Sequence, residues 1–160
     1  MAKDKDKGKK PGPVRIANRK ARHEYHILEV VECGLQLLGT EVKSLRAGNA
    51  TLDDAFAVIR GGQAYLVGMT IGQYAQAAPG MQHDTTRDRR LLLHRRQIEA
   101  LVNHVKQKGK TLVPLAVYFK HGWAKCEIGV AIGKKQYDKR QDIKKRDATR
   151  DIEREMRRRR

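Results

Sequence analysis

Positive charge is concentrated at the two ends of this 160-residue chain, which limits the part of it that can form a hydrophobic core. Residues 134–160 hold 13 Lys or Arg against 6 Asp or Glu, and residues 1–22 hold 9 against 2. The middle, residues 23–133, holds 13 basic and 10 acidic residues and contributes little to the net charge of +17. Because highly charged segments bury too little apolar surface to fold alone, we expect one folded domain flanked by cationic segments that bind a polyanion.

Composition excludes several classes of protein. Charged residues make up 33% of the chain, the mean hydropathy is −0.71, and no apolar run approaches the roughly 20 residues that span a bilayer. The N-terminal sequence MAKDKDKGKKPGP lacks the apolar region of a secretory signal. Cys33 and Cys126 are isolated in the sequence and do not form a disulfide framework. We therefore predict a cytoplasmic protein that does not bind membranes.

Short runs of β-forming residues occupy most of the middle section. Residues 23–32 and 35–42 are two such runs, and Gly34 between them predicts a tight turn. Two further pairs of runs predict hairpins around Gly-Gly and His-Gly turns, namely 56–60 with 63–71 and 112–120 with 123–132.

The hydrophobic period changes once along the chain. Ile98, Leu101, Val102 and Val105 recur at helical spacing and predict a helix over about residues 92–108. Short antiparallel strands with an embedded helix favour a mainly β fold, a small antiparallel OB-like β-barrel with flanking α-helices. The predicted divisions are a flexible basic N-terminal arm (1–15), an OB-like barrel (16–133) and a basic C-terminal tail (134–160).

Patterns typical of catalysis or metal binding are missing from the sequence. The six histidines and two cysteines do not have the spacing of a zinc site. The segment GVAIGKK at 129–135 has three residues between its glycines instead of four, and a lysine where a phosphate loop needs Ser or Thr. We predict that the protein is not an enzyme and uses no metal or other cofactor.

A cluster of arginines before the predicted helix is the strongest candidate for binding nucleic acid. Arg87, Arg89 and Arg90 precede an apolar Leu triplet that would anchor this junction to the core. Guanidinium groups bind phosphates and stack on bases, so we predict that these three arginines contact the phosphates and bases of a nucleic acid. The alternative for any one of them is a solvated helix start with salt bridges.

The C-terminal tail has the composition of a helix that cannot dock on its own domain. Drawn as a helix, its apolar residues Ile143, Ala148, Ile152 and Met156 form a thin stripe. We predict that the tail is disordered alone and becomes helical when a polyanionic groove neutralises it. About 23 helical residues would reach roughly 35 Å, which is long enough to thread a channel.

Five longer motifs carry a family resemblance. They are NRKARHEY (18–25), GTEVKSLRAG (39–48), RLLLH (90–94), KTLVPL (110–115) and GKKQYDKR (133–140). Together they closely resemble the bacterial SsrA-binding protein family, also called small protein B, from about residue 16 to 146. The resemblance implies an OB-type barrel that binds the tRNA-like domain of transfer-messenger RNA (tmRNA). With elongation factor Tu, the family delivers this RNA to stalled ribosomes for trans-translation, which tags the nascent peptide for degradation.

The resemblance also implies roles for particular residues. The RNA-contacting barrel surface would comprise Glu32, Leu92, His94 and Lys125. The tail would lie in the vacant mRNA channel next to the small-subunit decoding region, through Gly133, Lys134, Lys135, Tyr137, Asp138, Lys139, Arg140, Ile143, Lys144, Lys145 and Arg146. One departure from the family pattern is Thr85, where a proline often follows the aspartate.

Several of these implied roles leave alternatives. Alternation along the last strand places Lys125 outward, which suits phosphate binding. Glu32 would accept hydrogen bonds from base or ribose donors, or orient a neighbouring arginine, and Leu92 has an alternative role in the core.

The rival functions are a general ribosome-associated RNA chaperone, an RNA-modifying enzyme and a polybasic membrane-surface protein. We expect a monomer.

Overall fold

A computed structural model of the chain describes residues 14–78, 80–135, 138, 140, 143, 147–150, 152, 154, 156 and 157. The elements up to residue 133 follow in chain order: β1 (Arg15–Ala17), α1 (Arg19–Glu24), β2 (Tyr25–Leu35), α2 (Gly39–Arg46), β3 (Ala50–Thr51), β4 (Phe56–Arg60), β5 (Gln63–Val67), β6 (Thr70–Ile71), β7 (Arg89–Leu92), α3 (Arg95–Lys106), β8 (Lys110–Lys120) and β9 (Trp123–Gly133). No helix within the described residues is long and apolar enough to cross a membrane.

The large antiparallel sheet closes on itself. Its strand order is β1-β8-β4-β5-β7-β2-β9, and β9 also pairs with β8, so the six strands from β8 to β9 form a ring. β1 and β4 share one edge of β8, on either side of an irregularity at Pro114, where proline offers no amide donor. Closure leaves these strands no unpaired edge. The predicted small antiparallel barrel with helices is confirmed.

The inside of the barrel is apolar. Leu66, Val117, Cys126, Ile128 and Val130 are each 1% exposed or less. Fully burying a side chain of this kind stabilises the fold by about 1.5–3 kcal/mol. Cys33 lies directly opposite Cys126, and its Sγ donates a hydrogen bond to the Cys126 carbonyl at 3.1 Å. The neighbouring Cys33 thiol and burial raise the pKa of Cys126, which keeps this thiol neutral in the core.

Helix α1 covers one part of the outer barrel surface. Asn18 begins this helix by accepting a hydrogen bond from the Ala21 amide at 3.0 Å, and its own amide donates to the Leu52 carbonyl at 3.0 Å. Ala21 then packs on Val113, Leu115 and Ala131 in a second, smaller apolar cluster. Among the described residues, the outer face near the turn between β8 and β9 stays accessible, as the 74% exposure of Trp123 shows.

The predicted turn at Gly34 is wrong. β2 continues through this residue, and Gly34 lies directly opposite Leu92 of β7. A Cβ at position 34 would lie 3.1 Å from the Leu92 Cβ, so the glycine permits close strand approach rather than a turn. Residues 39–42, predicted as the end of a strand over 35–42, belong instead to α2, because Glu41 and Leu45 share one buried helical face.

The other elements agree more closely with expectation. Both hairpins are present, but the second arm of the first ends at Val67 instead of residue 71, because Thr70–Ile71 is a separate strand that pairs with β3. In the second hairpin His121 and Gly122 take positive φ angles of 51° and 82°, as a two-residue type I′ turn requires. The predicted helix is shorter at its start, because residues 89–92 are strand β7. Its apolar face is also narrower, since Ile98 and Leu101 are buried whereas Val105 is 45% exposed.

Candidate nucleic-acid interface

Strand register brings one row of residues together on the uncovered outer face. Tyr118 of β8 lies opposite Lys125 of β9. Lys125 lies opposite Gly34 of β2, and Gly34 lies opposite Leu92 of β7. Directly opposed residues of antiparallel strands point to the same face, and Gly34 adds no side chain. The row therefore presents an aromatic ring, an ammonium group and a leucine that is 51% exposed, which favours the surface role of Leu92 over the core one.

Glu32 lies on the same face, two residues before Gly34. Its carboxylate accepts a hydrogen bond from the Tyr118 hydroxyl and two from Lys120 Nζ, at 3.1 and 3.2 Å. The Tyr118 bond, followed by the Lys120 bond, holds the pKa of Glu32 below its ordinary value. The same bond raises the pKa of Tyr118. Glu32 is therefore an ionised anchor that orients a tyrosine and a lysine; of the two alternatives from the sequence this resembles the second, with other residues in place of the arginine.

Lys125 differs from Arg15 and Lys120 on this face, because it acts on Glu32 only through its charge, which helps to lower the pKa of that carboxyl group. Arg15 pairs with Glu127 at 2.8 Å and lies 5.1 Å from the centre of the Tyr118 ring. Lys120 pairs with Glu32 at 3.1 Å. Among the described residues Lys125 has neither an ion pair nor a hydrogen bond, so its ammonium group is available to a phosphate.

The prediction that Arg89 contacts RNA is wrong. Because β7 is a strand, its side chains alternate, and Arg89 points into the barrel with no exposed surface while Arg90 points outward. Arg89 Nε donates to Glu41 at 2.9 Å. Its remaining donors bind backbone carbonyls of the preceding loop and strand, those of Met69, Thr85 and Arg87. A guanidinium enclosed in this way holds the loop in place and does not meet a ligand.

Arg87 and Arg90 differ in how much of each guanidinium remains accessible. Arg87 Nε donates to Glu41 at 2.9 Å, and a second bond joins the same carboxylate, leaving the side chain 29% exposed. Burial acts to raise the pKa of Glu41, but bonds from Arg87 and the Leu38 amide, with the nearby Arg89 charge, bring it below its ordinary value. Arg90 is exposed and donates only through Nε, to Gln63 at 2.9 Å, so its outer edge can reach phosphate.

A shallow cavity of about 250 Å³ continues this surface past Leu92. Its lining is contributed by Gln63 and by the run from Arg90 to His94. His94 is exposed and precedes α3, and its amide donates to Gln97 at 2.9 Å. The cavity thus combines apolar and cationic side chains next to Lys125 and Leu92, as an RNA-contacting surface requires.

The root of the tail is attached to the barrel. After Gly133 ends β9, the Lys134 amide donates to the Glu24 carbonyl at 2.8 Å, and its Nζ donates to the Arg22 carbonyl at 3.0 Å. Asp138 lies 3.8 Å from His26 Nε2. Lys135 is exposed and follows in an irregular segment.

Beyond Lys135 the described tail residues are helical, and those from Arg140 onward, which include Ile143, are exposed. This agrees with the helix predicted for the bound tail. Disorder of the free tail stays a prediction. Five predicted tail residues lie outside the described ones: Tyr137, Lys139, Lys144, Lys145 and Arg146.

Sequence analysis missed three members of this surface, Arg15, Tyr118 and Lys120. Alternation along the second hairpin was a usable signal, because Lys120 and Trp123 flank the turn and share the face of Lys125. Arg15 had no such signal, since it joins the surface only through pairing of β1 with β8. Among the described residues there is no group of three His, Cys, Asp or Glu that could hold a metal ion.

The family model described as SmpB protein matches residues 15–158. The SsrA-binding protein of Salinispora tropica is 55% identical over 150 residues, covering 94% of this chain and 92% of the relative. That of Thermosynechococcus vestitus is 54% identical over 142 residues, covering 89% and 93%.

A solved structure described as "tmRNA-SmpB: a journey to the center of the bacterial ribosome" contains a similar chain. The two chains share 46% identity with a TM-score of 0.64, over 76% of this chain and 85% of the other. The family model spans nearly the whole sequence, and the relatives match over most of their own length. This chain is therefore a member of the SmpB family of SsrA-binding proteins.

Proposed function

We propose that this protein binds the tRNA-like domain of tmRNA and delivers it to stalled ribosomes for trans-translation. The observation that carries the proposal is family membership, reinforced by a 46% identical chain in a structure whose description names tmRNA, SmpB and the bacterial ribosome. The uncovered barrel face, with its free lysine, exposed leucine and ordered glutamate, supports the same function because it combines phosphate-binding and base-contacting groups.

In this proposal the barrel face grips the RNA. Lys125 and Arg90 bind phosphates, while Leu92 and His94 pack against a sugar or base beside the adjoining cavity. Glu32 acts by holding Tyr118 and Lys120 in place. Arg87 contributes only its exposed edge, because Glu41 holds the rest of the guanidinium.

The tail serves a separate purpose in the proposal. Its helix enters the vacant mRNA channel of the small subunit, and its lysines and arginines neutralise ribosomal RNA along the way. Gly133 ends the barrel, and Lys134 holds the tail root against α1. Elongation factor Tu accompanies the complex during delivery.

The proposal extends to the organisation of the whole chain. The barrel of residues 16–133 binds RNA, residues 134–160 sense the ribosome, and residues 1–15 form a basic arm. The protein acts as a cytoplasmic monomer, and it is an adaptor without catalytic activity of its own.

The first test is substitution of Lys125 with alanine. Loss of one phosphate contact should weaken binding to the tRNA-like domain by about three- to tenfold at physiological salt. It should also reduce the salt slope, which is the slope of the logarithm of the affinity against the logarithm of the salt concentration, by about one unit. Binding measured by gel shift at several salt concentrations reports both quantities. Lys108→Ala, which removes an exposed lysine after α3, is the matched control and should change neither. Unchanged affinity in Lys125→Ala would remove this lysine from the interface.

A second test uses salt alone. Several phosphate contacts release condensed counterions, so the logarithm of the affinity should fall linearly with the logarithm of salt concentration, with a slope of about −0.7 to −0.9 per contact. Titration of the wild-type protein between 50 and 300 mM salt measures this slope. A flat dependence would mean that the basic face does not bind phosphates.

The general RNA chaperone is the alternative, and the identity of co-purifying RNA separates it from the adaptor. One dominant RNA species after pull-down and sequencing supports the adaptor, whereas many structured RNAs in similar amounts support the chaperone. Incubation of the purified protein with RNA, followed by nucleotide analysis, tests the proposed absence of RNA-modifying activity.

A further inference from the structure

Trp123 is an exposed aromatic side chain at the tip of the second hairpin. It is the only tryptophan in the chain and 74% of its surface is accessible. Tryptophan is highly buried on average in folded proteins, so an indole exposed to this extent needs a reason other than packing.

Register places this indole on the candidate RNA surface. Trp123 lies directly opposite Lys120, and it precedes Lys125 by two residues on the same strand. Side chains two apart on a strand share one face, so the indole, both ammonium groups and the Glu32 carboxylate lie on one side of the sheet. Trp123 therefore extends this surface to the end of the barrel.

The charges around Trp123 identify the kind of partner. Lys120 is held by Glu32 at 3.1 Å, and Lys125 forms no ion pair among the described residues, although its charge also acts on Glu32. Two lysines share this one carboxylate, so the neighbourhood of the indole is cationic. An exposed aromatic plane between lysines suits a nucleobase whose phosphates the lysines bind. Phe56 shows the opposite setting, since it is 44% exposed in a groove that it shares with Asp53 and Asp54.

We propose that Trp123 stacks on an unpaired nucleobase of the bound RNA. This inference rests on the proposed function and adds a base-stacking site at the hairpin tip to the phosphate contacts of Lys125. Stacking does not depend on base identity, so Trp123 adds affinity and fixes the position of a loop or bulge without reading its sequence.

The position of the tail favours tmRNA over ribosomal RNA as the source of this base. β9 begins at Trp123 and ends at Gly133, and 11 strand residues separate its ends by about 33 Å. The tail therefore leaves the barrel at the end remote from the indole. A base that stacks on Trp123 therefore lies far from the rRNA next to the root of the tail.

Fluorescence of the single tryptophan tests the inference directly. The full-length protein is titrated with the isolated tRNA-like domain of tmRNA, and gel shifts under the same buffer conditions measure binding independently. We expect the indole emission to be quenched with the same midpoint as the gel shift. Trp123→Ala should weaken binding by roughly 5- to 100-fold, and Trp123→Phe should retain most of the affinity.

The salt slope separates stacking from electrostatic effects. Trp123→Ala should leave the slope unchanged, because no phosphate contact is lost, whereas Lys125→Ala should lower it by about one unit. Phe56→Ala, which removes the exposed aromatic side chain of the acidic groove, should leave affinity and quenching unchanged. Circular dichroism confirms that each variant is folded, which an exposed hairpin tip should permit.

Two results would overturn the inference while leaving the proposed function intact. One is saturated RNA binding by gel shift without any change in indole emission, together with unchanged affinity in Trp123→Ala. The other is quenching that appears only when ribosomes or ribosomal proteins are added, which would assign the indole to a ribosomal partner. Absence of RNA binding in every assay would instead overturn the proposed function.

Discussion

Replacing Arg89 with methionine is expected to lower the free energy of unfolding by about 3–5 kcal/mol. The reason is that Arg89 and Glu41 form an ion pair at 2.9 Å in which neither side chain has exposed surface. Removing Arg89 leaves the buried Glu41 charge poorly compensated, and it also takes a donor from the Met69 carbonyl, whereas the Thr85 carbonyl keeps the Ile71 amide. Urea denaturation followed by circular dichroism measures the loss.

A double-mutant cycle shows whether the pair itself is responsible. Glu41→Met should lower the free energy of unfolding by a similar amount. The double variant should lower it by less than the sum of the two single changes, because both buried charges are then gone. Arg90→Met is the matched control for stability, since it changes the adjacent exposed arginine of the same strand and should shift stability by about 0.5 kcal/mol or less. If the losses in free energy of unfolding caused by Arg89→Met and Glu41→Met simply added in the double variant, the prediction that the two side chains stabilise the fold as a pair would be wrong.

The same ion pair predicts how stability responds to acid. Glu41 has a pKa below its ordinary value of 4.5 in the folded protein. The stability that the ionised Glu41 carboxylate contributes is therefore complete above about pH 4.5, and it is lost as the pH falls through the lowered pKa of the folded protein. The difference in stability between the wild type and Glu41→Gln should shrink over this acidic range, and should stay constant between pH 6 and 8.

The arginine cluster shows how far sequence reasoning reached. The presence of a basic junction before the helix was predictable from composition. Its division into a buried Arg89 and an exposed Arg90 depended on residues 89–92 being a strand rather than part of a helix. Four residues are too few to establish a period of two, and the strand is stabilised by its pairing with β5 and β2, which are distant in sequence.

Gly34 illustrates a second kind of error. A glycine between two apolar runs is typical of a turn, and the local sequence contains nothing that separates this reading from a close strand contact. The deciding partner is Leu92, which is 58 residues away and touches the site where a Cβ would lie. Closed barrels depend on such long-range pairings, so the fold class was predictable while the ends of several elements were not.

Lys125 shows what sequence reasoning could do for the site. Alternation along an 11-residue strand is long enough to fix its outward direction, and the structure agrees. The partners of Glu32 were only partly predictable. Alternation from the His-Gly turn places Tyr118 and Lys120 on the face of Lys125, but their contact with Glu32 depends on the pairing of β2 with β9, which are distant in sequence.

Truncation after Lys135 is expected to abolish peptide tagging on stalled ribosomes while leaving tmRNA binding within about twofold of the wild type. The barrel is closed by β8 and β9 without any tail residue, and the Lys134 bonds to α1 are retained in this variant. The described residues from Arg140 onward are exposed, so their removal takes no support from the core. Gel shifts with the tRNA-like domain and a reconstituted tagging assay measure the two outcomes separately.

A point substitution tests whether the tail acts as a helix rather than as a cationic chain. Ala148 is exposed and helical, and proline in a helix interior costs about 3 kcal/mol without altering charge. Ala148→Pro should therefore reduce tagging strongly, whereas Ala148→Gln, which retains a good helix former, should preserve it. Equal tagging by the two variants would show that charge alone is enough. Tagging by the truncated protein would contradict any role of the tail, because the barrel face would then be sufficient for delivery and for accommodation on the ribosome.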